Sequence, residues 1–228
     1  MSIEVKPAAT VVLLRERPSG MEVLLLRKQS QLAFAPGMWV FPGGRIDQED
    51  FGGNSDDLLM AARRAAVRET FEEAAVTVDH NALIYCAHWT TPAHTKNTRR
   101  FATWFFVTVL DGEQAVAVDG GEIDDHQWVR PADAIAAHRN REMAMMPPTY
   151  VTLAEIAGCS SAEATLAMYR ARNLVEIVPL YAQGAKVMAV CPGDFAYGQE
   201  QVDPDGPGAR HRLWMEDDGW HYERDSQI

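Results

Sequence analysis

Three glutamates in one helical turn, downstream of a glycine pair, constrain this chain more than any other feature. The segment Arg68-Glu69-Thr70-Phe71-Glu72-Glu73 follows Phe41-Pro42-Gly43-Gly44. On a helix, Glu69, Glu72 and Glu73 lie at i, i+3 and i+4 and share one face. Like charges at i,i+4 repel by roughly 0.2–0.5 kcal/mol, so a cation is expected among these carboxylates.

The rest of this helix, predicted over residues 56 to 75, carries an apolar face. Val67, Phe71 and Ala74 recur at i, i+4 and i+7, which predicts that they pack inward while the glutamates point into a cleft. A charge run usually marks a solvated helix face, and the glutamate pair alone indicates no more than that. The glycine turn upstream favours a functional site, because glycine lets the backbone approach a ligand without a Cβ in the way.

The ligand chemistry indicates a hard divalent cation. Carboxylates offer only oxygen, which suits Mg²⁺ or Mn²⁺ better than Zn²⁺. The sequence has no cluster of thiolate or histidine ligands that would compete for this role. We therefore expect Mg²⁺ (or Mn²⁺) as the cofactor, bridging to phosphate groups of a substrate.

With these residues in place, the chain resembles the Nudix hydrolases, whose box runs from a glycine to a glutamate-rich helix. Here the box begins at Gly44 and closes with Arg68-Glu69, Glu72-Glu73 and Val76. The resemblance implies divalent metals held by the carbonyl of Gly43 and the carboxylates of Glu69, Glu72 and Glu73. It also implies that Arg68 orients the glutamates through a salt bridge, although a surface ion pair is the alternative for an arginine taken alone.

Three departures from the box stand in this chain. Asp50 occupies the place of the first glutamate, Ala75 replaces a late glycine, and seventeen residues separate Asp50 from Arg68. The additional residues include Phe51-Gly52-Gly53-Asn54-Ser55, a composition typical of a surface loop. An insertion there lengthens a loop and spares the glutamates.

A second stretch resembles one branch of the family, the peroxisomal coenzyme A diphosphatases with an insertion inside the box. It comprises Trp89-Thr90-Thr91-Pro92 and Arg99-Arg100-Phe101-Ala102-Thr103. Ala102 departs from the aspartate of that branch, and Ala33 stands where the coenzyme A motif has arginine. Coenzyme A or an acyl-CoA is thus one expected substrate, and an ADP-ribose or NADH type of nucleoside diphosphate stays open.

Arginines near these motifs are candidate substrate ligands. Two adjacent arginines that open a strand place one side chain on each face, so Arg99 or Arg100 is expected to reach phosphate oxygens while its neighbour pairs at the surface. Arg45, next to the glycines, is a third candidate. Three tryptophans are able to stack on adenine, although tryptophans in strands more often lie in a core: Trp39, Trp89 and Trp104.

The expected reaction is hydrolysis of a nucleoside diphosphate linked to another moiety, by attack of water on one phosphorus. Family members often take the general base from a loop away from the box, which here favours Glu122 in the acidic loop Gly120 to Asp125. A solvated loop carboxylate is the alternative interpretation of Glu122, and other candidate bases are His88, His94 and His126. A Nudix-fold sensor that binds a nucleotide without turnover is the alternative function.

Composition limits the partners. The formal net charge of -11 argues against nucleic acid, whose phosphates demand a basic surface. Cys86, Cys159 and Cys191 are scattered and odd in number, which indicates neither disulfides nor a zinc site and favours a reducing cytoplasm. No signal-like or membrane-length apolar run is found, so the expected partner is a small-molecule nucleotide substrate rather than a membrane.

Apolar runs rich in Val and Leu predict strands, and their order around the acidic helix predicts an α/β (α+β) fold of the Nudix type, an α/β/α sandwich with a mixed sheet. Arg17-Pro18-Ser19-Gly20 predicts a hairpin turn between the first two strands, and Pro131 near its start predicts a helix over 131–138. The predicted strands cover residues 8–14, 22–26, 39–41, 83–89, 101–110 and 127–129.

The chain divides into a predicted Nudix domain at residues 1–145 and a C-terminal extension at 146–228 packed on it. The extension is predicted to hold helices over 149–157 and 161–172, with Ser160 or Ser161 as the cap of the second, and a hairpin over 212–222. The sequence does not separate an extension that covers the cleft from one that builds a dimer interface, so a homodimer is one expected assembly.

Overall fold

The computed structural model describes residues 4–53, 57–93, 99–183, 187–199, 203 and 206–225. Eight strands form one mixed sheet in the order β3-β2-β1-β6-β5-β8, with β4 paired to β1 and β7 paired to β2. The strands are β1 Val5–Arg15, β2 Glu22–Lys28, β3 Trp39–Val40, β4 Gly43–Arg45, β5 Ile84–Thr90, β6 Arg100–Val109, β7 Ile123–Val129 and β8 Glu176–Ile177. The predicted mixed α/β fold is confirmed.

Strand β1 lies in the middle of this sheet and runs parallel to β6, from Val5 opposite Arg100 to Leu14 opposite Val109. Its side chains alternate between two separate clusters of buried residues. Val11 and Leu13 belong to one cluster, and Val12 and Leu14 belong to the other. Burial on both faces explains why this strand reads as a continuous apolar run.

Helices cover both faces of the sheet. Helix α1, Leu58–Ala74, packs on one face through a cluster that includes its alanines. The other face carries α2 Pro131–Arg139, α3 Pro147–Ile156 and α4 Ala162–Ala171. This layering agrees with the predicted α/β/α sandwich.

The prediction that Phe71 packs inward is wrong, because 58% of its surface is exposed. The buried face of α1 follows Ala62, Ala66, Thr70 and Glu73 instead. Each residue turns the helix by roughly 100°, so Phe71 points away from the sheet that Thr70 faces. Small alanines bring the helix close to β1, and Glu73 lies on this packed side, not on a face opposite to it.

Most local predictions agree with the structure. The Arg17 to Gly20 turn closes the β1-β2 hairpin with a Gly20 N–H to Arg17 carbonyl bond of 2.9 Å. Ser161 caps α4, since its Oγ accepts from the Ala164 N–H at 3.1 Å. Strand β7 is longer than predicted and begins at Ile123, and strands β8 to β10 were not predicted.

The C-terminal extension forms its own antiparallel sheet in the order β12-β11-β10-β9. Its strands are β9 Leu180–Gln183, β10 Val187–Val190, β11 His211–Glu216 and β12 Gly219–Arg224. Strands β11 and β12 are the predicted hairpin. Inside this sheet the guanidinium of Arg212 and the carboxylate of Asp194 are fully buried and lie 2.6 Å apart. Among the described residues, no helix is long and apolar enough to cross a membrane.

Glu155, in α3, joins the second sheet to helix α4 and the segment that follows α4. Its buried carboxylate lies 2.8 Å from Arg172 Nη1 and 2.7 Å from Arg224 Nη1. The hydroxyls of Tyr169 and Tyr222 donate to it at 3.2 and 3.1 Å. One side chain of α3 therefore contacts three parts of the chain, namely α4, the segment that follows α4, and β12. The boundary at residue 145 stays a prediction.

We expect Glu155→Gln to destabilise the protein by about 3 kcal/mol, because removing one partner leaves two arginine charges poorly compensated in a buried place. Burial acts to raise the pKa of Glu155, but Arg172 and Arg224 outweigh it and the pKa lies below its ordinary value. Its stabilisation is therefore present above the unfolded pKa of about 4.3 and is lost as the pH falls below that value.

Urea unfolding of both forms at pH 7 and at stepwise lower pH measures this effect. The difference between wild type and Glu155→Gln should shrink as the pH falls from 5 to about 3. Glu163→Gln is the matched control, since Glu163 is exposed and pairs with Arg170 at 3.5 Å. A difference that does not depend on pH would contradict the assignment.

Candidate active site

The glycine turn is fixed to β1 by its proline. The Pro42 carbonyl accepts from the Val11 N–H at 2.9 Å and from the Thr10 hydroxyl at 2.7 Å. Gly43 follows at φ +154°, and a Cβ there would lie 2.3 Å from the Ala9 carbonyl oxygen. Only glycine fits this position, because both the backbone angle and the space exclude a side chain.

Glu73 is held directly against this turn. The Gly43 N–H donates to Glu73 Oε2 at 2.8 Å, and Lys28 Nζ lies 3.6 Å from Glu73 Oε1. Only 6% of Glu73 is exposed. Burial raises its pKa to about 7, while Lys28 and the Gly43 N–H oppose the rise and the charges of neighbouring glutamates add to it.

Glu69 packs against the second glycine. A Cβ at Gly44 would lie 2.4 Å from both Cδ and Oε1 of Glu69. Burial raises the pKa of Glu69, and the adjacent Arg68 opposes that rise. The two glycines therefore serve two different purposes: Gly43 makes room for β1, and Gly44 makes room for a carboxylate.

Arg68 links the acidic groups of the region. Its Nη1 lies 2.9 Å from both Glu69 Oε1 and Glu72 Oε2, and its Nη2 lies 2.9 Å from Asp50 Oδ2. The same Nη2 donates to the Arg45 carbonyl at 3.0 Å. Hydrogen bonds to Asp50 outweigh burial and raise the pKa of Arg68, so it stays charged.

Asp50 and Ala75 occupy the two box positions at which this chain departs from the family. Asp50 is buried, and its Oδ2 accepts from the Asp47 N–H at 2.8 Å as well as from Arg68. Ala75 adopts a left-handed conformation with φ +55° at the end of α1, where the family has glycine. The inserted loop begins after the short 3₁₀ helix Gln48–Phe51, and Asn54 and Ser55 lie outside the described residues.

The three glutamates do not converge on one point. Glu73 faces Gly43 and Lys28, while Glu72 is 55% exposed along its side chain and pairs with Arg68. Within the described ranges, no group of three or more His, Cys, Asp or Glu side chains is arranged to hold a metal. The donor chemistry nevertheless suits Mg²⁺, because all three offer carboxylate oxygens within one helical turn beside an open backbone.

Lys28 is a residue that sequence reasoning missed. Its Nζ lies 3.3 Å from Glu122 Oε2 in addition to its contact with Glu73. Glu122 is exposed at the start of β7, in a loop held by Asp119, whose carboxylate accepts from the N–H groups of Gly121, Glu122 and Ile123. The candidate base and the buried glutamate thus face the same ammonium. A lysine that ends an apolar strand was the available signal, but the β2-β7 pairing that gives it meaning is long range.

The candidate phosphate ligands differ in whether they line the cavity. Arg99 and Arg45 line the same cavity as the glutamates. The Arg100 Nε donates to the Thr91 carbonyl at 3.0 Å. Arg99 is therefore the better placed of the adjacent pair.

The aromatic and histidine candidates also differ in whether they line the cavity. Trp39 is a core residue, Trp104 stacks on His88 at 4.1 Å, and Trp89 is buried but borders the cavity. Neither His88 nor His126 lines the cavity formed by the described residues, and His94 lies outside them. Glu122 does line it.

A single cavity of about 770 Å³ contains the glutamates. Its volume lies within the usual range for small-molecule sites. Its lining includes charged side chains, among them Lys28, Arg45 and Arg99, as well as apolar side chains from β1, β6, α3 and the segment around Pro179. A substrate with phosphate groups suits the charged side chains of this lining.

Comparisons with known proteins agree with this fold. A family model described as the NUDIX domain matches residues 5–147. A putative nudix hydrolase 7 from Caenorhabditis elegans is 24% identical, with 78% of this chain and 70% of that protein covered. The acyl-coenzyme A diphosphatase NUDT19 is 22% identical in Xenopus laevis, with 60% of each chain covered, and 24% identical in Homo sapiens, with 62% of each covered. The chain thus spans about six tenths of the length of these two diphosphatases.

Solved structures show the same fold. A NUDIX hydrolase from Alicyclobacillus acidocaldarius superposes with a TM-score of 0.62 at 23% identity, covering 72% of this chain and 96% of that one. The NUDIX domain of NrtR from Shewanella oneidensis, solved in complex with ADP ribose, has a TM-score of 0.50 at 16% identity, covering 67% of this chain and 86% of that one.

Proposed function

This chain belongs to the Nudix family of hydrolases, and we propose that it cleaves the diphosphate bond of a nucleoside diphosphate linked to another moiety, with a divalent metal. The observation that carries the proposal is the contact of Glu73 and Glu69 with the two glycines inside the cavity. Carboxylates desolvated beside an open backbone, in a substrate-sized space, suit metal-assisted phosphoryl chemistry.

The metal, Mg²⁺ or Mn²⁺, would be held by Glu69, Glu72 and Glu73 with the carbonyl of Gly43. When bound, it supplies Lewis-acid polarisation of phosphoryl oxygens and a lowered pKa for water. Arg68 positions two of these carboxylates by its contacts with Glu69 and Glu72, and Asp50 holds Arg68 in place.

The protein's own residues carry the remaining steps. A water oxygen bonds to one phosphorus, its proton passes to the carboxylate of Glu122, and the bridging oxygen leaves with the other phosphate. Lys28 Nζ holds Glu122 beside the buried Glu73. Arg45 and Arg99 bind the phosphate oxygens, with Arg100 as the second choice because its Nε already donates to a carbonyl.

Coenzyme A or an acyl-CoA is the proposed substrate. Two relatives carry the name acyl-coenzyme A diphosphatase, and the Trp89 to Pro92 and Arg99 to Thr103 segments resemble that branch. Ala33 and Ala102 differ from its motifs, which keeps ADP-ribose or NADH as the alternative substrate class. A nucleotide sensor without turnover is the alternative from another functional class. A cytoplasmic location and a homodimer stay predictions.

Incubation with Mg²⁺ and a panel of coenzyme A, acyl-CoA, ADP-ribose, NADH and diadenosine substrates tests the proposal. We expect release of a mononucleotide product from the coenzyme A compounds, measured by liquid chromatography, and its loss on chelation of the metal. Turnover of ADP-ribose or NADH alone would favour the alternative substrate class. Tight nucleotide binding without any product would favour the sensor.

A further inference from the structure

Lys28 brings a cation to the buried Glu73 from a strand outside the glutamate-rich box. We propose that the ammonium of Lys28 competes with a divalent ion for Glu73, and that it passes to Glu122 when the ion binds. The inference rests on the proposed function, which makes Glu73 a metal ligand. It goes beyond that function because it assigns to the chain a cation of its own that sets how tightly the metal is held.

Two cations of the chain divide the three glutamates between them. Arg68 Nη1 lies 2.9 Å from both Glu69 and Glu72. Lys28 Nζ lies 3.6 Å from Oε1 of Glu73. Glu73 is 6% exposed and the side chain of Lys28 is 12% exposed, so salt screens this pair much less than it screens a surface pair. The charge of Glu73 is therefore compensated from another strand and not from its own helix.

The two oxygens of Glu73 have different partners. Oε2 accepts from the Gly43 N–H at 2.8 Å, which fixes the carboxylate against the turn. Oε1 faces the ammonium of Lys28. We assign Oε1 to the metal, since Oε2 is already engaged by a backbone donor. A hard divalent ion bonds directly to carboxylate oxygen, so the ion and the ammonium are attracted to the same atom and repel each other.

The backbone of Lys28 is held on both sides of its strand. Its N–H donates to the Met38 carbonyl and its carbonyl accepts from the Gly37 N–H, both at 3.0 Å. On the other side β2 pairs with β7, and the register shifts between Arg27 and Lys28. An irregularity of this kind re-aims side chains and is common beside active sites. The ammonium is therefore presented from a fixed strand end, and only its side chain has rotational freedom.

Glu122 offers this ammonium a second position. Lys28 Nζ lies 3.3 Å from Glu122 Oε2, and the Glu122 side chain is 64% exposed. The Glu122 carbonyl accepts from the Gln29 N–H at 2.9 Å, which ties its loop to the residue after Lys28. A lysine carries its charge on a flexible four-carbon stem. An ammonium displaced from Glu73 would thus stay paired, and metal binding would be coupled to the proposed base.

Mn²⁺ binding without substrate tests the competition by Lys28. Lys28→Met removes the ammonium and keeps an unbranched side chain. We expect its Mn²⁺ affinity, followed by electron paramagnetic resonance, to exceed that of wild type by at least about fivefold, the effect of one unit charge at about 4 Å in water. Affinities are compared above the pH at which they stop changing, so that protons do not compete with the ion. A merely structural role for Lys28 would weaken Mn²⁺ binding instead.

Thermal unfolding gives a second readout. In EDTA, Lys28→Met should melt below wild type, because the buried Glu73 loses its partner charge. Saturating Mn²⁺ should raise the melting temperature of Lys28→Met more than that of wild type, since an ion that binds the native state stabilises it in proportion to its affinity. Lys28→Arg keeps the positive charge and should lie closer to wild type in both measurements.

Lys6→Met is the matched control. Lys6 borders the same cavity but is exposed, so salt screens its charge. The Mn²⁺ affinity of this variant should stay within about twofold of wild type at physiological ionic strength.

The outcomes separate the two proposals. An Mn²⁺ affinity of Lys28→Met equal to or below that of wild type overturns the competition and leaves the hydrolase assignment intact. An equal rise in Lys6→Met overturns it as well, because the general charge of the cavity would then be responsible. Tighter Mn²⁺ binding to Lys28→Met, in a protein that turns over no compound of the substrate panel, supports the competition and overturns the proposed reaction. Absence of Mn²⁺ binding in wild type and Lys28→Met overturns both.

Discussion

We expect Glu73→Gln to lower kcat/KM on the diphosphate substrate by at least about 100-fold while the protein stays folded. The physical reason lies in the two functions of this carboxylate. Its Oε2 accepts from the Gly43 N–H at 2.8 Å, which glutamine reproduces with its amide oxygen. The negative charge that a hard divalent cation requires is lost, and a neutral amide is a weaker ligand for Mg²⁺.

Two measurements check this result. The first is kcat and KM with Mg²⁺, and the second is Mn²⁺ binding followed by electron paramagnetic resonance, which does not depend on turnover. Glu142→Gln is the control, since Glu142 is exposed and does not line the cavity. A Glu73→Gln variant with wild-type Mn²⁺ affinity and turnover would refute the assignment of this carboxylate as a metal ligand.

Gly44→Ala should lower kcat by about 10- to 100-fold with a change in stability below about 1 kcal/mol. The new Cβ would lie 2.4 Å from the carboxylate of Glu69, at the end of a flexible side chain that is able to move. The backbone angle at Gly44 does not exclude alanine, and alanine reduces the freedom of the unfolded chain by a stabilising amount of about 0.4–1 kcal/mol. Gly44→Ala should therefore reduce activity by displacing the carboxylate of Glu69, and it should leave the fold stable.

Gly43→Ala and Gly158→Ala provide the contrast with Gly44→Ala. Gly43→Ala meets the Ala9 carbonyl oxygen at 2.3 Å with φ at +154°, so it should lose about 2 kcal/mol or more of stability together with activity. Gly158→Ala has its nearest non-adjacent atom at 3.9 Å and should change neither. Thermal unfolding and initial rates on the three variants measure the separation. Equal stability loss at Gly43 and Gly44 would show that Gly44 serves the turn rather than Glu69.

The local part of the site was predictable, since it depends on residues close in sequence. The helix and the glycine turn follow from spacing, the partner role of Arg68 follows from the family resemblance, and the helix observed at Leu58–Ala74 lies inside the predicted range. Strand positions followed from apolar runs, because β1 and β2 are buried on both faces. The short strands β8, β9 and β10 were not predicted, since two to four residues carry too little periodicity to be distinguished from a loop.

The orientation of α1 was not predictable from its apolar pattern. Phe71 was expected inside and is exposed, because a helix that lies close to β1 needs alanines on its inner face. Convergence of the three glutamates was expected as well. Instead, Glu72 pairs with Arg68 while Glu73 faces Lys28, a residue 45 positions earlier in the chain.

The sequence alone indicated the family, the box and the carboxylates that we propose as oxygen donors, because these depend on residue types at fixed spacing along one helix and one turn. Only the tertiary structure decided that Glu73 is buried against Gly43, that Lys28 joins it to Glu122, and that Pro179 and Tyr181 complete the cavity. The physical reason is the strand pairing of β1 with β4, β2 with β7 and β5 with β8. Each pairing brings together segments far apart in the chain, and no local pattern encodes which strands will meet.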